Sequence, residues 1–345
     1  MSREQLLARP KSRLEELPAE LVQEIFLRCL EINLARASIY LARALSNPII
    51  YKWLVQLAFV KTDGEGDTSL TREFVTSYDV VGHIERDELK KLRTRILECR
   101  WCTLPLIRDC QLAFLNHVIK YKRRHFDIIP EDRSLLAGFA QRFDDLKACD
   151  KAPNGQRGQS DLVLRANRSD REFNGSDSKR SHDYNIAVWF HLGIIEVLPV
   201  GDSKPSGKIY FEVPCCEDAR LPAKLLCAPW TEEKLEFLQL ISTRAFLDRD
   251  TEFRRATRTL RRLIRDRDLA TFTRLLHLYV RIECYGFPII WPTNNIVFRA
   301  ALKCAAGPGD PFVRLLVEER WGHIEPEDIL LKEKLLKSLQ SGDCS

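Results

Sequence analysis

A chain of 345 residues with 45% hydrophobic and 30% charged side chains has ordinary globular composition and is too apolar for a disordered chain. Its 54 basic and 49 acidic residues leave a formal net charge of +5, too small an excess to imply nucleic acid as a partner. The longest apolar runs, such as "NIAVWFHLGIIEVL", fall short of the roughly 20 residues of a membrane span, so no membrane partner is expected either.

The opening "MSREQLLARPKSR" has no apolar segment of the kind that directs secretion. The eleven cysteines are spread over a long chain, and the expectation is a reduced, intracellular protein of the cytoplasm or nucleus.

The first informative stretch is residues 13–37, "RLEELPAELVQEIFLRCLEINLARA". Pro18 suits the first turn of a helix, because the N–H it lacks would be unpaired there. Leu21, Ile25 and Cys29 then share one helical face, and Val22, Phe26 and Leu30 share the adjacent one. The resulting apolar stripe is wider than one helix contact requires and must be covered by the rest of the chain or by a partner.

Helical periodicity continues to residue 60, with breaks near Asn33 and at Asn47-Pro48, and residues 61–69, "KTDGEGDTS", are turn-rich. Residues 84–100 are again helical; Thr103 can cap the next helix, "LPLIRDCQLAFLNHVIKYK", with Pro105 in its first turn. Residues 151–183 are dominated by Gly, Asn, Ser, Asp and Arg, with "LVL" as their apolar run, and read as a linker or exposed loop. Beyond them "YNIAVWF" and "KIYFEV" favour short strands, followed by helices to the end.

The second half repeats itself. Phe-x-x-Leu-[Leu/Ile] recurs at Phe237, Phe272 and Phe312, and a Pro-acid or Pro-polar mark recurs in "IIPED" (Ile128–Asp132), "IWPTN" (Ile290–Asn294) and "IEPED" (Ile324–Asp328). Such units are helix pairs that bury their apolar faces by stacking. "LPAKLLCAPWTEEKLEFLQLIS" has the strongest pattern of a helical pair. These periods resemble ankyrin repeats in degenerate form; unrelated amphipathic helices that share common residues are the alternative.

Residues 17–55, "LPAELVQEIFLRCLEINLARASIYLARALSNPIIYKWLV", resemble an F-box of the filamentous-fungal type. The likeness is carried by Leu17, Pro18, Glu20, Leu21, Ile25, Phe26, Leu30, Leu34, Ala37, Ser38 and Trp53. It implies a helical module that docks on the Skp-type adaptor of a cullin–RING ubiquitin ligase, with Leu17, Pro18, Leu21, Ile25 and Leu30 entering an apolar groove. The expected architecture is mainly α: an F-box-like domain over 13–60, a helical region over 61–147, a flexible linker over 148–183, and degenerate ankyrin-like repeats with a small β insertion over 184–340. The expected role is a non-enzymatic substrate receptor that links a target protein to the ligase; a pure interaction scaffold is the alternative.

Other candidates are weaker. Cys99, Cys102, Cys110 and His117 are zinc-type ligands, but the seven-residue step from Cys110 to His117 on one helix suits buried thiols better, and no metal or cofactor is expected. Arg254, Arg258, Arg261, Arg262 and Arg265 share a helical face; Arg258, Arg261 and Arg262 are the candidate contacts to a target, against the alternative of a solvated face. "KYKRRH" at 120–125 is a second basic stretch. No phosphate loop, nucleophile elbow or paired-carboxylate motif is present, so no catalytic residues are assigned.

Overall fold

The computed structural model describes residues 12–63, 84–122, 126–137, 162–168, 183–189, 193–199 and 209–340. Among the described residues the fold is mainly helical with two sheets, and the chain divides after Cys215 into two compact units. Among the described residues no helix is long and apolar enough to cross a membrane.

The first unit opens with a 3-10 turn (Arg13–Glu16) and four helices: α1 (Ala19–Cys29), α2 (Leu34–Ala37), α3 (Ile39–Leu45) and α4 (Pro48–Phe59). Their ends follow from local chemistry. The side chains of Ser38 and Asn47 accept hydrogen bonds from the N–H groups of Leu41 and Ile49, which have no carbonyl partner within their own helices. Leu30 ends α1 in the left-handed region at φ 51°, where a glycine would be less strained, and its N–H reaches Phe26 O at 2.8 Å. Helices α1 and α2 both pack on α3.

Helix α4 buries Trp53, Leu54, Val55, Leu57, Ala58 and Phe59. It is covered by α5 (Arg86–Glu98) and α6 (Leu104–Lys122). Arg93 Nε donates to Ala58 O at 2.6 Å, and Tyr51 stacks on Trp101 with ring centroids 4.4 Å apart. The compact unit that holds α4 runs on to Cys215. The last helix of the head is buried by the region that follows it.

The sheet of this unit is six-stranded and antiparallel, in the order β1 (Lys61–Asp63), β6 (Ile209–Glu212), β5 (Ile194–Pro199), β4 (Asp183–Trp189), β3 (Leu162–Arg168), β2 (Phe126–Ile128). One face carries Leu162, Leu164, Ala166, Ile186, Val188, Ile195 and Val197 against Phe114, Leu115 and Val118 of α6. A short helix, α7 (Pro130–Ala137), follows β2, and its Asp132 accepts from the Arg165 N–H at 2.7 Å and from its guanidinium at 3.0 Å.

Two expectations are corrected here. The stretch 148–183 is not linker throughout, because Leu162–Arg168 is a strand paired on both sides; residues 148–161 and 169–182 lie outside the described residues. The β structure is also not confined to 184–340, since its strands are drawn from 61–63 through to 209–212. The physical reason is the alternation in "LVLRANR": Leu162, Leu164 and Ala166 turn inward while Val163, Arg165 and Asn167 stay exposed. Of the expected turn at 61–69, residues 61–63 form β1, and 64–69 lie outside the described residues.

The second unit runs through a 3-10 turn (Ala223–Leu226), α8 (Glu232–Ser242), β7 (Phe246–Asp248), α9 (Arg254–Asp266), α10 (Leu269–Leu276), β8 (Tyr279–Ile282), β9 (Ile289–Ile290), α11 (Asn295–Cys304), α12 (Pro311–Arg320) and α13 (Ile329–Gln340). Phe237, Phe272 and Phe312 lie buried on α8, α10 and α12. Each of those helices starts with a side-chain cap: Thr231 to Lys234 N, Asp268 to Thr271 N, and Asp310 to Phe312 N.

Alternate helices stack: α9 on α11, α11 on α13, and α10 on α12. Strands β7 and β8 pair in parallel with Phe246 opposite Arg281, and the step from 246 to 281 is 35 residues, the same as from Phe237 to Phe272. The stretch expected as the best helical pair differs, because Pro222 and Pro229 bracket too few residues for a full helix before α8, leaving one 3-10 turn.

Two polar clusters join elements of this unit. Asp310, its side chain fully buried, accepts from Arg267 Nη2 at 2.7 Å and from the N–H groups of Ala306 and Phe312 at 3.0 Å each. Asn295 donates to Asp328 Oδ2 at 3.0 Å and accepts from Glu325 N at 3.1 Å, which ties the start of α11 to the "IEPED" segment.

Candidate functional site

Helix α1 has two apolar faces set one residue, about 100°, apart. Val22 and Phe26 point inward and are 0% and 4% exposed. Leu21 and Ile25 point outward and are 46% and 37% exposed. Pro18, at the start of the helix, is exposed as well. Leu17 and Leu30, at either end, are half-buried.

Leu17 is held from the side. Its carbonyl accepts the Tyr40 hydroxyl at 2.5 Å, which brings the first turn of α3 beside the entry to α1. Tyr40 and Ile39 are themselves exposed, Ile39 by 75%. Sequence reasoning missed these two. The available signal was the Ser38 cap: once Ser38 fixes the start of α3, Leu41 and Leu45 turn inward and residues 39 and 40 are left outside.

This surface is aliphatic and aromatic, bordered by the exposed pair Glu24–Arg28. What it offers is apolar area, and contiguous exposed apolar side chains mark contact sites. Covering a branched aliphatic side chain contributes about 0.8 kcal/mol per methylene removed from water.

The other expected contacts lie on α9. Arg258, Arg261 and Arg262 are exposed together with Arg254 and Arg265, while Leu260, Leu263 and Ile264 are buried on the other side. Arg255 differs: its guanidinium turns back to the carbonyls of Leu221 and Leu247 at 2.5 and 2.9 Å. The start of α9 is capped from a distance by buried Asp248 on β7, whose carboxylate accepts from the N–H groups of Arg255 and Ala256 at 2.9 Å each. An acid placed before an intervening turn gives no local capping pattern to read.

Cys99, Cys102 and Cys110 are buried, and burial pushes the Cys110 thiol up to about 12. Among the described residues no group of three or more His, Cys, Asp or Glu side chains is placed to hold a metal ion. Of the basic stretch 120–125, residues 120–122 end α6 and 123–125 lie outside the described residues.

No protein-family model, no curated protein and no solved structure matches the chain.

Proposed function

We propose that this protein is an F-box-type substrate receptor: α1 docks on a Skp-type adaptor, and the repeat-like second unit, read as degenerate ankyrin-like repeats, presents a target protein to the cullin–RING ligase. One observation carries the reading. Leu21 and Ile25 stand on a solvent-facing side of α1, although the adjacent face of the same helix already supplies Val22 and Phe26 to the core. A helix that only closed its own core would need one apolar face. The second face falls on the residues whose order resembles the F-box, and Pro18 continues it. On this reading the chain is no enzyme, and ubiquitin transfer is the work of other subunits.

The test is capture of purified Skp-type adaptor by the full chain, compared between wild type and Leu21→Ala and Ile25→Ala. Binding by wild type with loss in both variants supports the receptor. A folded wild-type chain that captures no adaptor leaves a non-enzymatic scaffold, in which this face serves another protein.

A further inference from the structure

Helix α9 carries six arginines, at 254, 255, 258, 261, 262 and 265, with no lysine and no acid before Asp266. Arg254 pairs with Glu252, and Arg255 is turned onto backbone carbonyls. The other four, Arg258, Arg261, Arg262 and Arg265, are exposed and make no ion pair or side-chain hydrogen bond with a described residue.

Their three- and four-residue steps place them on one face, where like charges repel along the helix. Solvated helices ordinarily relieve such repulsion with acids at the same spacing; within α9 the acid at that spacing is Asp266 alone, four residues after Arg262 at the helix end. Every cation on it is arginine. The planar guanidinium pairs a carboxylate through two parallel hydrogen bonds, whereas a lysine ammonium acts as a point charge.

Arg258 and Arg262 are about 6 Å apart along the helix axis, and an extended chain advances about 6.6 Å over two residues. Alternate side chains of an extended segment therefore keep step with successive turns of α9. Base stacking on a nucleic acid would call for aromatic side chains among the cations; α9 has none, and the whole chain carries a charge of only +5.

We propose that this face of α9 is the docking site for an acidic protein segment with aspartate or glutamate at alternate positions of an extended stretch. The site is independent of adaptor docking by α1, and the test below leaves α1 untouched.

The probe is a fluorescein-labelled peptide of alternating glutamate and serine, titrated with the full chain and followed by anisotropy. Saturable binding that weakens as NaCl is raised is expected, because exposed charge pairs are screened. The triple variant Arg258→Gln, Arg261→Gln, Arg262→Gln weakens binding at least about tenfold, the size of loss that a few exposed charge-assisted contacts support. The fold is retained, since Leu260, Leu263 and Ile264 carry the burial of α9.

The corresponding triple Lys variant keeps the charge, guards against loss of folding in the Gln variant, and binds more weakly than wild type because the two-pronged geometry is gone. Absence of saturable binding to wild type, or equal binding by wild type and both variants, overturns the proposal. Tighter binding of a single-stranded oligothymidylate of equal charge also overturns it and makes the face a nucleic-acid surface.

Discussion

Replacing Asp310 by alanine tests how the second unit holds its helices together. The carboxylate is fully buried and serves three donors: Arg267 Nη2 at 2.7 Å and the N–H groups of Ala306 and Phe312 at 3.0 Å each. Alanine removes the cap of α12, which costs about 1 kcal/mol. It also leaves donors unpaired, at roughly 1–3 kcal/mol for each that stays away from water.

Arg267 keeps about a third of its side-chain exposure and recovers part of its hydration, so the expected total is about 3 kcal/mol. Asparagine can keep the cap on Phe312 N through Oδ1, but its NH2 then faces Arg267 and Ala306 N, so both bonds that Oδ2 accepts are lost, for roughly 2 kcal/mol. Urea unfolding of the full chain, followed in the transition that includes α12, measures both.

The pH dependence has a definite sign. Burial alone would raise the Asp310 pKa, but the hydrogen bonds from Arg267 and from the backbone of Ala306 and Phe312 outweigh it and hold the group below its usual value. Its contribution is therefore complete above the unfolded carboxyl value of about 3.9 and is lost as pH falls through the lower folded value. The gap between wild type and Asp310→Asn closes in acid. An alanine variant within about 0.5 kcal/mol of wild type, or a gap that widens on acidification, would refute this account of the stack.

Other perturbations separate the faces of the head and the two kinds of thiol. Phe26→Ala destabilises the first unit by about 3–5 kcal/mol, whereas Leu21→Ala changes thermal unfolding far less because its side chain is already half in water; equal effects would show that both faces of α1 are core. Under native conditions at mildly alkaline pH, a maleimide reagent modifies Cys29 and Cys284, which are exposed, and spares Cys110, which is buried and held protonated. Mass spectrometry of the digested protein reads the outcome, and early modification at Cys110 would contradict it.

The helices of the head were legible in the sequence because their punctuation is local. Pro18, the Asn47-Pro48 pair and the three- and four-residue apolar steps place α1 and α4 without reference to anything distant, whereas the start of α3 at the Ser38 cap was passed over. The buried phenylalanines of α8, α10 and α12 were legible for a similar reason, since each recurs with its own following leucine or isoleucine. The sheet was not. Strands β1 and β2 are three residues each and exist through their partners β6 and β3, so nothing within them signals a strand. Strand β3 did alternate correctly, but the polar stretches on either side of it dominate any window read along the chain. The exposure of Ile39 and Tyr40, and the capping of α9 by Asp248, depend on how one element sits against another.

The most direct test of the central proposal is calorimetric titration of the purified full chain with purified Skp-type adaptor, repeated with Leu21→Ala and with Ile25→Ala. Each substitution removes several methylenes from a face that the adaptor would cover, a loss on the order of 2 kcal/mol in binding, or about thirtyfold. The account predicts saturable binding by wild type, that loss in both variants, and unchanged thermal unfolding. A well-folded wild type that gives no binding, or variants that bind as wild type does, would contradict it.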